Sequence, residues 1–299
     1  RVTDQAILPS QGPSDAAAGH RRPRFAWVQH SILPGFPLAM GITLTYLAAI
    51  VIIPLTALAL RPWELGLSGV VHELTAPRVA AALKLSFGLS ALAALLNAPL
   101  GVLIAWTLTR FEFPGRRLLD ALVDLPFALP TAVAGIALTA IYAPSGPMGA
   151  LAAKVGIKTA YSPLGIFSAL VFIGLPFVVR AIQPVLQELD KEVEEAAQTL
   201  GANSLQRAAL VILPALAPAL ISGVSLAFAR AVGEYGSVVF IAGNLPMKTE
   251  IAPLIITIKL EEYDYAGAAA VGLIMVIISF GSLIAINAAQ MFFARRGRA

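Results

Sequence analysis

The sequence predicts an all-α membrane protein with six transmembrane helices, and three observations carry that expectation. Hydrophobic residues fill 58% of the 299 positions and charged residues only 13%, about half the charged share of an ordinary soluble domain, which is about 25%. Mean hydropathy is +0.81. Apolar runs of about 20 residues, the length that crosses the hydrocarbon core as a helix, recur along the chain. Lys and Arg are distributed unequally between the loops that separate them, as in chains oriented by a membrane.

The elements follow in order. Residues 1–31 are polar, contain Pro and Gly, and show no periodicity, which predicts a disordered tail. They lack the apolar core of a cleavable signal peptide. Residues 32–293 form the transmembrane domain, with spans expected near 38–60, 79–109, 119–143, 162–182, 214–243 and 266–293. The second, fifth and sixth exceed one crossing, so tilt, a kink at Pro99, or a break near Gly233 and Gly236 is expected. Residues 294–299 make a short basic tail.

Orientation comes from the 21 Lys and Arg. Thirteen fall on the side that holds the N-terminus, among them Arg21, Arg22, Arg116 and Arg117, and seven on the other, with Arg230 inside a span. That asymmetry places both termini of a multi-pass membrane protein in the cytoplasm. The formal charge of +4 is therefore read as membrane orientation rather than as a nucleic-acid footprint. No cysteine is present, and His20, His30 and His72 stand singly, so no metal site is expected.

One polar, strongly patterned stretch interrupts the apolar chain. In EEAAQTLGANSLQRAALVILP, Glu194, Glu195, Ala196 and Ala197 precede Gly201, and Val211, Leu213 and Pro214 close the run. Ala, Leu and Glu favour helix, while Gly201 and Asn203 interrupt it. Two short helices joined at Gly201 are expected within about residues 190–213, because glycine takes the positive φ of a sharp turn. Glu194 and Glu195 complement the positive end of the leading helix, and Pro214 suits the first turn of the next span. The orientation count, made without this motif, puts the loop in the cytoplasm. A solvated amphipathic loop without a partner is the competing reading. The spacing resembles the EAA loop through which permeases of ABC importers grip their ATPase, with Val211 where that pattern usually has isoleucine.

Ionisable groups within the membrane are a second signal, since each costs about 2.5–3.5 kcal/mol at a helix centre on insertion scales. Arg230 and Glu234 lie four residues apart on one helix face, with Gly233, Tyr235 and Gly236 around them. Arg230 stands roughly 24 Å beyond Pro214 at about 1.5 Å per residue, past the middle of the bilayer. Two readings stand, a translocation gate and a structural ion pair. Arg before Glu is the weaker order within one helix, so partners on other helices or on an opposing subunit are expected. Pro126 and Pro130 either free backbone groups that line a cavity or merely kink a packed helix. Lys248, Thr249 and Glu250 are placed in an outer loop suited to docking a partner or guiding a released anion.

The EAA run, LPFALPTAVAG at 125–135 and FARAVGEYGSVVFIAGN at 228–244 together resemble the sulfate and molybdate branch of ABC importer permeases over about residues 32–293. The stretch at 243–272 is most similar to the CysT (CysU) type. This resemblance implies a type I importer permease of the bacterial inner membrane with a cytoplasmic EAA coupling loop, working by alternating access. It also implies a CysW-like second permease, two CysA-like ATPase subunits that bind ATP and Mg, and a periplasmic sulfate-binding protein. The chain has no G-x-x-x-x-G-K-[ST] loop of its own, so it is expected to be non-catalytic. A molybdate or tungstate permease, an ATP-independent secondary transporter and a membrane scaffold are the alternatives. Copurification of an ATPase separates the importer readings from the last two.

Overall fold

The computed structural model describes residues 35–296, and every regular element among them is helical. The expected tail at 1–31 and residues 297–299 lie outside the described residues. The chain divides into two units at Ile52. In the first, α1 (Phe36–Leu47) starts behind Pro37 and runs into a π-helical turn at Ala48–Ile52, with Leu38, Ile42 and Tyr46 exposed.

The second unit continues with α2 (Ile53–Leu60), α3 (Gly66–Thr75) and the long α4 (Pro77–Arg110). Next come α5 (Arg116–Val123), α6 (Leu125–Ala128), α7 (Thr131–Tyr142), α8 (Pro147–Lys154) and α9 (Pro163–Glu188). The remaining helices are α10 (Lys191–Thr199), α11 (Ser204–Arg207), α12 (Leu213–Val232), α13 (Val238–Ile241), α14 (Ala252–Glu261) and α15 (Tyr265–Arg296).

Helices α4, α9 and α12 build the centre. Leu108 on α4, Val178, Ile182 and Leu186 on α9, and Leu216 and Phe228 on α12 share one buried cluster. Small residues bring these helices together, as membrane interfaces require when lipid offers no hydrophobic drive. A Cβ on Gly101 would lie 2.5 Å from Val178 Cγ1, and one on Gly223 would lie 3.0 Å from the Val178 Cα. Val178 is thus gripped between two glycines from two neighbouring helices.

Five helical stretches are long and apolar enough to cross a membrane: Phe36–Thr75, Pro77–Arg110, Pro163–Glu188, Ser204–Val232 and Tyr265–Ala288. A sixth crossing is available only if α7 and α8, bent by 43°, count as one. One expectation needs correction here. Residues 119–143 are not one helix. Pro126 sits in the first turn of α6, and Leu129, ahead of Pro130, is extended at φ −84° and ψ 134°, the conformation a following proline imposes. Helix α4 runs continuously through Pro99. Helix α15 continues through 294–296. The expected break in the fifth span is present, with α12 ending at Val232 before Gly233.

Candidate coupling and translocation sites

Between α9 and α12 the chain forms the helix–glycine–helix element. Gly201 takes φ +85°, and its N–H donates to the Gln198 carbonyl at 2.9 Å while Ala202 N–H reaches Ala197 O at 3.0 Å. These bonds satisfy the last carbonyls of α10, the usual role of a left-handed glycine at a helix end. Asn203 and Gln206 then cap α11 reciprocally, at 2.8 and 2.9 Å, each satisfying an otherwise orphaned N–H. The sharp turn therefore rests on the glycine and the restart on the capping box.

Helix α11 passes into α12 through a π-helical segment at Ala208–Ile212. Pro214 lies in the first turn of α12, but the helical path is continuous through Ser204–Val232 rather than newly started there. The wider turn is the relief a proline needs against the carbonyl four residues back. Val211 is half-buried and Leu213 exposed. Leu200, Leu205 and Leu210 are exposed by 88%, 79% and 74%. Glu195 and Ala196 are also exposed, Ala197 is half-buried, and Glu194 turns inward onto Arg110. Trp106, Arg110, Phe111, Glu194, Glu195 and Arg207 line a cleft of about 190 Å³ behind the element.

Glu234 is 2% exposed at its side chain and completely engaged. Its Oε2 pairs with Arg230 Nη1 at 2.6 Å, and its Oε1 accepts from the Ser237 N–H and Oγ, each at 2.9 Å. Among the described residues Arg230 and Glu234 thus pair with each other, and Glu234 takes a further partner, Ser237, just ahead of α13. The helix stops at Val232, and the turn through Gly233 frees the carboxylate from ideal helical geometry. It bonds back to α12 and forward to the start of α13. Arg230 keeps 36% of its side chain exposed. Tyr235 is half-buried against the Val238 and Ile241 cluster.

Two segments singled out in the sequence meet at this point. A Cβ on Gly135 of α7 would lie 2.5 Å from Ser237 O, and one on Gly236 would lie 3.0 Å from Thr131 Cβ. Pro126 is half-buried and Pro130 exposed. They break the helix so that α7 can lie across the 233–238 turn, and neither lines any of the cavities described here.

The outer loop is also different from expectation. Lys248 is exposed, but Thr249 and Glu250 are 3% and 2% exposed. Thr249 Oγ1 accepts from Leu245 N–H at 2.9 Å. Glu250 takes a two-pronged bond from Arg78 at 2.6 and 2.8 Å, the fork geometry arginine offers a carboxylate. Two of the three residues are thus structural ties, and only Lys248 is free to meet a partner.

Sequence reasoning missed several groups. Arg180 on α9 binds Asp120, Asp124 and Gln183, fastening α5 and α6. An arginine inside the apolar run FVVRAIQP was the available signal, passed over because Arg180 stands at the end of the span expected at 162–182 and counts among the cytoplasmic charges. Helix α14, too short to cross, tucks its Ala252 N–H onto Ser86 Oγ at 2.9 Å. At its far end Lys259 joins Glu73 and Asp264, both at 2.9 Å. The Lys259 ammonium holds the Asp264 carboxyl below its ordinary range, against the opposing effect of burial and with help from the Gly267 N–H.

Residues 97–298 match the family model described as "Binding-protein-dependent transport system inner membrane component". The chain is 47% identical over 265 residues to the sulfate transport system permease protein CysT of Salmonella typhimurium, covering 89% of this chain and 96% of that one. The chain belongs to this permease family, in its CysT branch. The CysT of Escherichia coli is 46% identical over 272 residues, covering 91% of this permease and 98% of that protein. In fold, the permease is similar to a chain of a bacterial alginate ABC transporter crystallised with a pentasaccharide-bound periplasmic protein. The TM-score is 0.70 at 17% identity, over 84% of this chain and 92% of that one. It is thus a transport permease of the inner membrane with the ABC permease fold.

If the element at 190–213 grips an ATPase, Gly201→Val tests it cleanly. A Cβ there meets nothing within 4 Å, so the substitution acts only through the backbone, at about 1–2 kcal/mol for a left-handed non-glycine residue. The variant is expected to insert into the membrane normally and to copurify severalfold less ATPase. Unchanged copurification and uptake would show that the turn does not matter for coupling.

Proposed function

We infer that this permease is one of two membrane-spanning subunits of an ATP-driven importer that moves sulfate or thiosulfate into the cytoplasm. The observation that carries the reading is the exposed helix–glycine–helix element, whose outward leucines have no use in a loop that only faces water. Such single-file apolar exposure fits a partner groove. The chain itself is non-catalytic: ATP and Mg are bound by two CysA-like subunits, one of which docks on this element from the cytoplasm, where both termini also lie. A CysW-like permease completes the pathway, with the Arg230–Glu234 turn beside it. Sulfate as cargo is supported by the CysT relatives, and the absence of a dense cationic cluster in the outer loop supports a separate periplasmic binding protein as the capturing component.

The test is reconstitution of the four-component complex in vesicles. Labelled sulfate uptake and ATP hydrolysis are expected to rise together when sulfate-loaded binding protein is added outside. Stimulation by a molybdate-loaded binding protein alone would replace the cargo and leave the importer reading standing. Uptake without any ATPase would remove the importer reading itself.

A further inference from the structure

Helix α4 ends at Arg110, beside the junction where α9 gives way to α10. That junction is thin. Leu189 and Asp190 are both non-helical, at φ −72°, ψ 112° and φ −60°, ψ 129°, so two extended residues are the only backbone connection between the helices. The Arg110 guanidinium bridges it. Nη2 donates to the Leu189 carbonyl at 3.2 Å and to Glu194 Oε1 at 2.6 Å. Leu189 supplies an orphaned carbonyl at the end of α9, a natural acceptor for a cation.

The arginine is held from its other side as well. Its guanidinium carbon lies 5.7 Å from the Trp106 ring centroid, one turn back on α4, within cation–π range. The Arg110 and Glu194 side chains are only 11% and 18% exposed, so water screens the pair little. Adjacent positions on a helix point about 100° apart, and the two glutamates divide accordingly. Glu194 bonds Arg110, while Glu195 is exposed at the rim of the same cleft.

We propose that Arg110 and Glu194 form a clamp that makes α10 and α4 a single lever, so that a displacement of α10 reaches the centre of the bundle. Arg110 is a positioning residue. Without it, motion of α10 is absorbed by the hinge at Leu189 and Asp190; with it, the motion enters α4, which packs along α9 and α12 through Leu108 and Ala105. This inference rests on the ATPase-coupling reading of the same element, and it moves Glu194 from the partner-facing surface to the inside of the machine.

The test compares Arg110→Lys, Arg110→Gln and Glu194→Gln in the reconstituted four-component complex, reading copurified ATPase and sulfate moved per ATP hydrolysed. Arg110→Gln and Glu194→Gln are expected to keep the ATPase bound while sulfate per ATP falls roughly tenfold, the scale of one charge-assisted hydrogen bond. Arg110→Lys keeps the charge but not the planar guanidinium beside the Trp106 ring, and is expected to fall between them and wild type. Should Arg110→Gln fail to assemble, the near-isosteric Glu194→Gln carries the test. An unchanged ratio in Glu194→Gln overturns the clamp. Loss of bound ATPase in Glu194→Gln also overturns it, because Glu194 would then contact the ATPase directly. A wild-type complex that binds no ATPase would instead defeat the coupling reading.

Discussion

Replacing Glu234 by alanine is expected to destabilise the permease by about 3 kcal/mol, the lower end for breaking a buried ion pair from one side because Arg230 is partly exposed, and to abolish uptake with it. The carboxylate serves three donors at once: Arg230 Nη1, Ser237 N–H and Ser237 Oγ. Its removal leaves a cation in a membrane segment without its partner. It also strands two donors of a fully buried serine, at about 1–3 kcal/mol for an unsatisfied group. Glu234→Gln retains an acceptor for Ser237 and loses only the charge, so it is expected to fold better than Glu234→Ala. Arg230→Ala is expected to be milder still, since Arg230 is partly exposed and its loss leaves Ser237 satisfied. The unfolding midpoint of the purified complex and its sulfate uptake should fall together across this series. A Glu234→Ala complex with the wild-type midpoint but no uptake would assign the pair to the pathway instead of to the frame.

The contrast between Glu234 and Glu250 shows what a sequence can and cannot disclose. Glu234 announces itself, because a carboxylate four residues from an arginine in an apolar run has an evident local partner. Glu250 is equally buried, yet its partner Arg78 lies 172 residues away, and nothing local distinguishes it from a loop residue. Arg110 and Glu194, 84 apart, were hidden in the same way. Hydropathy located five of the six expected spans because span length is set by the bilayer, which does not depend on tertiary contacts. It failed at 119–143, where Pro126 and Pro130 leave composition apolar while breaking the helix. It also passed over α14, whose ten residues fall below any spanning window. The turn at Gly201 was legible because positive φ is a local demand that few residues other than glycine meet. What the outward leucines bind is a property of a partner surface, and this chain does not encode that surface.

Gly135→Ala is expected to be the second most damaging change, although alanine is normally the better helix residue by about 1 kcal/mol. The added Cβ would lie 2.5 Å from the Ser237 carbonyl oxygen and 2.7 Å from its Cα. Both are backbone atoms, and Ser237 is itself held by Glu234, so the clash cannot be relieved by rotating a side chain. Either α7 or the 233–238 turn must retreat. Overpacking of this kind costs about 1–3 kcal/mol, enough to reverse the helical gain. Gly233→Ala is the matched control, since a Cβ there meets nothing within 4 Å and the residue has an ordinary φ of −89°. It is expected to change stability by no more than about 0.5 kcal/mol, as exposed substitutions do. Gly135 packs on the turn that contains Gly233, so a general sensitivity of that turn would affect both variants. Only close contact between α7 and Ser237 separates them. Gly135→Ala with the wild-type unfolding midpoint and uptake would mean that α7 can draw back freely, and that its packing is not what holds Ser237 against the Glu234 carboxylate.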